Sequence, residues 1–502
     1  MSLPPKIHLS ICQPLGYVHS LGLLDPARYF RWQFRRLGAE VSIAKNRLRH
    51  DAVNFVFGAH LGFDASLCRR HACVFVNLEQ LGDRGASVRP EYLKLLAANA
   101  VVDYDADNVA AYAQVPDEVP VVPFWHAPYL APAVPLPLEE RPIDLLFFGS
   151  MNDRRKAMID RIEALGWTVT VFDSALYGEE RDHYIRQAKA VLNCHFYDSA
   201  RFEQVRVAHC LSLGTPVISE RTPDTRPDEA FEDCVIWLQD ENELVQFFSE
   251  DFATPAYYDV TRAALQRFEA ADPLGAYAAA LGFAEGFVGT HHECRPAEPW
   301  APERIHIGSG KDYRPGWLNV DVLARAEPDL LLDLSGALEL PLHADSPTVG
   351  PLVLAADSVD RIDANNVLEH VGDLPALMSN CLRLLKEGGE FHIEVPHERA
   401  LTAWQDPTHV RAMNENSWIY YTDWFWYLGW VDHRFEVAAS SWLDARVQPC
   451  QREQAAFMRV VLRKIRTTPR ERMVALTMAA GVHLPDDEPV APAAAGEGPA
   501  SS

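Results

Sequence analysis

Basic side chains are in deficit: the 502-residue chain carries 46 Lys and Arg against 70 Asp and Glu, a formal net charge of −24 at pH 7. Nonspecific binding to nucleic acid, or to an anionic membrane surface, depends on cations that neutralise phosphates, so neither is expected as a partner. Arg154-Arg155-Lys156 is a local exception. Long apolar runs are missing as well. No uncharged stretch reaches spanning length and the opening MSLPPKIHLSIC has no signal-type apolar core, so the sequence predicts a cytoplasmic protein without a transmembrane segment. The nine cysteines include no CxxC pair, which argues for reduced thiols and against a zinc knuckle. Cys68, His71 and Cys73 read as ordinary packing, and His291-His292-Glu293-Cys294 has no second ligand group in the sequence, so no metal site is expected.

The chain is too long for one core, and roughly 150 residues per domain gives about three. Two proline-rich breaks divide it, Pro132 to Pro142 and Arg295 to Pro302, and from Leu484 the sequence lacks the large apolar residues that would offset ordering entropy. The domains expected are 1–138, 139–290, a linker 291–303, 304–468 and an extension 469–502, disordered from about 484. Short apolar runs predict strands at Ile7–Cys12, Ala52–Phe57, Cys73–Leu78 and Ala100–Asp103. The pattern restarts with strands at Leu145–Phe148, Thr168–Phe172, Ala190–Cys194 and Pro216–Ser219, and helices at Arg154–Leu165, Arg181–Ala188 and Gln204–Leu213. The fold class is α/β.

Ile305 to Asp321, IHIGSGKDYRPGWLNVD, is an apolar run broken by Gly308-Ser309-Gly310 and followed by a second run ending in an acid. Bare backbone at such a turn admits a ligand, and a carboxylate at the next strand end accepts ribose hydroxyls. NNVLEHV follows at Asn365–Val371, then LMSNCLRLLKEGGEFHIEVP at Leu377–Pro396, read as helix, Gly-Gly turn and strand. From Arg304 to about Arg466 the chain resembles the class I S-adenosylmethionine-dependent methyltransferases, in the short-looped branch associated with polysaccharides. The resemblance implies a Rossmann-like domain with S-adenosylmethionine as cofactor. It assigns the methionine moiety to Gly308, Ser309 and Gly310, ribose to Asp321, the adenine edge to Asp333, and the surroundings of the sulfonium to Asn365 and Asn366. The loop has one glycine fewer than the longer GxGxG form, so no glycine role carries past Gly310. His370, His397 and His409 stand where a general base is needed, and His370 is the base selected. The aromatic run Trp418 to Tyr427 reads as core, with a lid over a sugar acceptor as the alternative.

FEQVRVAHCLSLGTPVISE, Phe202 to Glu220, is an amphipathic helix closed by Gly214 before a buried strand. With VLNCHFYDSA and FFGSMNDRRKAMI ahead of it, this segment resembles the nucleotide-sugar domain of GT-B glycosyltransferases. The resemblance implies two Rossmann-like domains in GT-B arrangement, with Arg154, Glu203 and Arg206 holding the nucleotide-sugar. Retaining members often carry two glutamates eight positions apart around this helix; His209 and Arg201 occupy those positions here, so no anomeric outcome is implied. In the first domain His60 and Glu79 follow strand ends and are the acceptor-side candidates, with His19.

Together these resemblances imply a bifunctional glycosyltransferase and methyltransferase acting on a glycan or glycoprotein. One alternative keeps the methyltransferase and makes the first half a binding module. A third makes both halves scaffold units.

Overall fold

The computed structural model describes residues 5–172 and 176–478. The tail expected to be disordered from about 484 lies outside them. The chain divides into two compact units, Met1–Glu298 with Ser346–Gly350, and Pro299–Asp345 with Pro351–Ser502.

The first unit contains two parallel sheets. Strands β1 (Lys6–Ile11), β2 (Glu40–Lys45), β3 (Val53–Phe57), β4 (Cys73–Asn77) and β5 (Ala100–Asp103) run in the order β2-β1-β3-β4-β5. Strands β6 (Ile143–Phe148), β7 (Val169–Phe172), β8 (Ala188–Asn193), β9 (Val217–Glu220) and β10 (Ile236–Leu238) run β10-β9-β8-β6-β7. Every residue of β3 and β4 is buried, as expected of central parallel strands covered on both faces. Read from the β7 edge, the second sheet repeats the order of the first. Each sheet reverses direction of growth beside its first strand, between β1 and β3 and between β6 and β8, and in open α/β sheets ligands collect outside the carboxyl ends there.

Helix Leu24–Arg36 turns Phe30 and Phe34 onto Phe55 and Phe57, and Tyr277 from helix Leu274–Cys294 completes this aromatic core, all five fully buried. That second helix runs through His291–Cys294, so the segment expected to open the linker is helical. Helix Asp153–Ala164 begins where the Asn152 side chain accepts from the Arg155 amide, an N-cap that fixes the register of the basic cluster.

The second unit is built on β11 (Arg304–Ile307), β12 (Leu318–Asp321), β13 (Leu330–Leu331), β16 (Val359–Asn365), β17 (Leu385–Pro396), β18 (His433–Leu443), β19 (Pro449–Cys450) and β20 (Phe457–Arg466). Their order is β13-β12-β11-β16-β17-β20-β18-β19; β14 (Leu342–Ser346) and β15 (Gly350–Leu354) pair separately. The strands from β13 to β17 are mutually parallel and β20 lies antiparallel to β17. The switch point falls between β11 and β16. The mixed α/β fold with parallel Rossmann-like sheets therefore holds for both units.

One expected turn is a strand. Gly388 and Gly389 lie inside β17, at the irregularity in its pairing with β16, and a Cβ on Gly389 would sit 3.0 Å from the carbonyl oxygens of Lys386 and Val359. The glycines allow a bulge rather than a reversal. No helix among the described residues is long and apolar enough to cross a membrane.

Candidate functional site

In the second unit, the ends of β11, β12 and β16 carry Gly308 to Gly310, Asp321, and Asn365 with Asn366, while Asp333 follows β13. β11 stops at Ile307, and the chain turns through Gly308 (φ +65°) and Gly310 (φ +46°), both in the left-handed region. A Cβ on Gly308 would collide with Cγ2 of Val367, which follows β16. Glycine is required at this contact. Asp321 closes β12 at 7% exposure; its Oδ2 accepts from the Gly310 amide at 2.8 Å and its Oδ1 from the Leu323 amide at 2.8 Å. One carboxylate thus ties the glycine turn to the loop beyond β12, and each oxygen keeps one lone-pair site. Ser309 Oγ is buried without a hydrogen-bond partner among the described residues.

Asn365 ends β16 exposed, and Asn366 follows at φ +52° with its amide bonded to Glu394 O at 2.8 Å. Asp333 is exposed and accepts from the Ser335 amide at 2.8 Å and the Ser335 hydroxyl at 2.6 Å. The turn before β12 is braced from behind: Trp317 lies under the guanidinium groups of Arg304, Arg314 and Arg361, and Arg314 bonds Asp363 at 2.6 Å.

The three histidines separate. His397 is fully buried and held at 3.3 Å by Glu415, whose carboxyl the adjacent Arg452 guanidinium draws down to about 2. His370 is exposed, and its Nδ1 lies 2.9 Å from Thr408 Oγ1. His409 Nδ1 lies 3.0 Å from the Ala403 carbonyl, and the two imidazoles meet edge to face with centroids 4.6 Å apart. Beside them Glu369 is 2% exposed, with no hydrogen-bond partner for either carboxylate oxygen among the described residues, and burial pushes its carboxyl up to about 7. One ligand atom from each of Glu369, His370 and His409 lies within 4.8 Å of the others. Sequence spacing did not reveal this cluster, because His409 arrives from a loop beyond β17; the adjacent Glu-His at a strand end was its one local sign.

The aromatic run divides. Trp418, Tyr421 and Phe425 are buried, whereas Tyr420, Trp424 and Tyr427 are exposed and pack edge to face.

In the first unit a cleft of about 480 Å³ is lined from both sheets, including Glu79 and Gln80 after β4, Gly149 and Ser150 after β6, and Arg155, Glu203 and Arg206. Gly149 has φ +135°, and a Cβ there would meet Arg206 Nη2 at 3.1 Å and Arg155 Nη1 at 3.4 Å. The two guanidinium groups therefore close over bare backbone at the end of β6. Arg206 lies 5.5 Å over the Phe148 ring, with a buried Nη1 that has no hydrogen-bond partner among the described residues. Glu203 precedes helix Gln204–Ser212 and accepts from Asn193 Nδ2 at 3.0 Å and His195 Nδ1 at 3.0 Å. Burial raises its carboxyl, but His195 and the charge of Arg206 outweigh burial and hold it at about 2.

Arg154 is turned aside into a pair with Glu220, Nε to Oε1 2.8 Å, while buried Arg155 faces the cleft. Adjacent helix positions point about 100° apart, and the cap at Asn152 selects Arg155. His60 and Glu79 are brought together at 3.4 Å, though of the two Glu79 lines the cleft. His19 Nδ1 reaches Tyr177 Oη at 2.9 Å. His209 sits in a buried network with Asp182 at 2.7 Å and Arg181 at 2.7 Å.

No protein-family model matches this chain. The uncharacterized protein L140 of Acanthamoeba polyphaga mimivirus is 26% identical over 151 residues, 29% of this chain, which spans about half (48%) of that relative. Solved structures similar to it include an S-adenosylmethionine-dependent methyltransferase from Archaeoglobus fulgidus, 16% identical over 32% of this chain and 85% of that one, TM-score 0.22. Another is the S-adenosylmethionine-dependent methyltransferase from Mesorhizobium loti, 17% identical over 34% of this chain and 94% of its own, TM-score 0.21.

Proposed function

We propose that the second unit is an S-adenosylmethionine-dependent methyltransferase acting on a sugar hydroxyl, and that the first unit takes a nucleotide-sugar for transfer to a glycan or glycoprotein. The observation that carries the methyltransferase part is the convergence of Gly308, Gly310, Asp321 and Asn365 at the switch point between β11 and β16. The residues present fit the cofactor: a turn that admits no Cβ, an orphan buried hydroxyl at Ser309, and an acid with lone pairs to spare. S-adenosylmethionine, when bound, supplies a methyl group already activated on a sulfonium. Gly308 to Gly310 would hold its methionine portion, Asp321 its ribose and Asp333 its adenine edge, with Asn365 and Asn366 lining the sulfonium.

The protein's work is then placement and proton removal. Thr408 Oγ1 donates to Asp406 Oδ1 at 2.6 Å, so it accepts from His370 Nδ1, and Nε2 of His370 keeps the lone pair that can take a hydroxyl proton. Exposed Tyr420, Trp424 and Tyr427 offer aromatic faces to sugar C–H groups.

For the first unit, the cleft and the unpaired Arg206 N–H support a nucleotide-sugar site, since a leaving diphosphate needs fixed cations where its charge accumulates. Arg155 and Arg206 would meet the phosphates and Glu203 the ribose, with the Glu79–His60 pair on the acceptor side. Arg154 keeps a supporting part through Glu220. A second reading makes this unit a glycan-binding module, and the network at His209, in place of a carboxylate facing the cleft, favours it. The expected location of both activities is the cytoplasm.

Labelled methyl transfer from S-adenosylmethionine to a panel of oligosaccharides tests the first part, and nucleotide release from a panel of nucleotide-sugars tests the second. Methylation with no nucleotide release by the folded chain would favour the binding module. No methylation of any acceptor would remove the methyltransferase reading.

A further inference from the structure

We propose that Glu369, His370 and His409 form a binding site for one divalent first-row transition-metal ion beside the end of β16. The cluster offers two imidazoles and a carboxylate, one ligand atom from each lying within 4.8 Å of the others. Bonds of about 2.0–2.2 Å to such an ion would set donor atoms roughly 3.3 Å apart, so small side-chain rotations close the site.

Three further observations point the same way. First, Glu369 is 2% exposed, with neither carboxylate oxygen hydrogen-bonded among the described residues. A buried carboxyl with two orphan oxygens costs stability unless something cationic completes it. Second, the outer hydrogen bond of His409 leaves its Nε2 free to meet an ion. The Ala403 carbonyl can only accept, so His409 Nδ1 carries the proton and Nε2 the lone pair. Third, the same logic reaches His370 through two steps. The Thr408 hydroxyl proton goes to Asp406 Oδ1 at 2.6 Å, so Thr408 Oγ1 accepts from His370 Nδ1 at 2.9 Å and again leaves Nε2 free. The Thr408 amide, 2.8 Å from the same Asp406 oxygen, fixes the hydroxyl's direction. Outer partners of this kind, a backbone carbonyl and a carboxylate-oriented hydroxyl, are what hold metal-bound imidazoles in place.

The donor set also limits the ion. Two neutral imidazoles and one carboxylate, without thiolate, suit manganese, iron, cobalt or zinc in the divalent state better than calcium or magnesium. Three protein ligands leave positions open, as in catalytic rather than structural sites. Its use in methyl transfer rests on the reading of the second unit given above: an acceptor hydroxyl bound to the ion would lose its proton more readily to solvent water, and His370 would then serve as ligand in place of base. Vicinal hydroxyls of a sugar, which can chelate, then become the favoured acceptors.

The test is a cobalt(II) titration of the full chain after chelator treatment, followed by absorption, with zinc(II) as competitor. One equivalent should bind, with d–d bands and no thiolate charge-transfer band, and zinc should displace it. Glu369→Gln and His409→Ala should weaken binding at least tenfold. Thr408→Val, an exposed change that alters no ligand, should weaken it about tenfold by releasing the His370 ring. Failure of the wild-type chain to bind an equivalent, or binding unchanged in both Glu369→Gln and Thr408→Val, would overturn the proposal; the latter would put the ion elsewhere, such as at His291–Cys294. Titrating S-adenosylmethionine in the presence of chelator separates the two claims, since cofactor binding without metal binding sinks only the metal site.

Discussion

Oδ2 of Asp321 accepts the amide of Gly310 at 2.8 Å, joining the acid at the end of β12 to the glycine turn at the end of β11. In Asp321→Asn the amide nitrogen, in one rotamer, would face the Gly310 N–H and, in the other, the Leu323 N–H. A buried donor facing a donor costs about 1–3 kcal/mol. Affinity for S-adenosylmethionine measured by calorimetry should fall at least tenfold, together with a lower melting temperature.

Gly308 makes a sharper comparison. Gly308→Ala needs a side chain at φ +65° and sets a Cβ against Val367, whereas a Cβ on Gly372 would meet nothing within 4 Å. Thermal unfolding should show Gly308→Ala destabilised by about 1–3 kcal/mol, and Gly372→Ala changed by less than about 0.5 kcal/mol.

In the first unit, Arg206→Ala removes a guanidinium beside bare backbone at the end of β6, and Arg154→Ala removes one already paired with Glu220. Nucleoside diphosphate binding, followed by competition with a fluorescent analogue, should weaken about tenfold or more in the first variant and a few-fold at most in the second. Equal losses would contradict the assignment of Arg206.

Glu203 makes the stability of this unit depend on acid. Its carboxyl is held at about 2 against an ordinary 4.5, so the folded chain releases this proton more readily than the unfolded one. The stabilisation is present above about pH 4.5 and is lost as pH falls toward 2, on the order of 3 kcal/mol in total. Urea unfolding of Glu203→Gln should differ from wild type by about that amount at pH 7, and the two should converge toward pH 2.

Much of this arrangement was legible because parallel strands buried on both faces are continuous apolar runs. Strands β1, β3, β4 and β5 stand within a residue or two of their expected positions. Two edge strands escaped: β2, EVSIAK, is largely half-buried or exposed, and β10 is a three-residue piece. Ala188 was expected to end a helix and instead opens β8, because the run AKAVLN, buried except for half-buried Lys189, carries the strand two residues earlier. Gly388 and Gly389 carry a turn signature, yet they form a bulge inside β17, with Gly388 at φ +83°, and the pairing on both sides is in place again from Glu390. At the sites, strand-end residues could be named from the sequence because strand ends are local. The choice of Arg155 over Arg154 depends on a helix cap, the Glu79–His60 pair on two separate strands meeting, and the Glu369, His370, His409 cluster on a returning loop. The cap is local but its outward effect on Arg154 is not, and the other two depend on contacts distant in sequence.

The account stands most directly on calorimetric titration of S-adenosylmethionine into the folded full-length chain. The expected result is one molecule bound per chain, displaced by S-adenosylhomocysteine and weakened at least tenfold in Gly308→Ala. Absence of saturable binding by wild-type protein with a normal melting transition would contradict it.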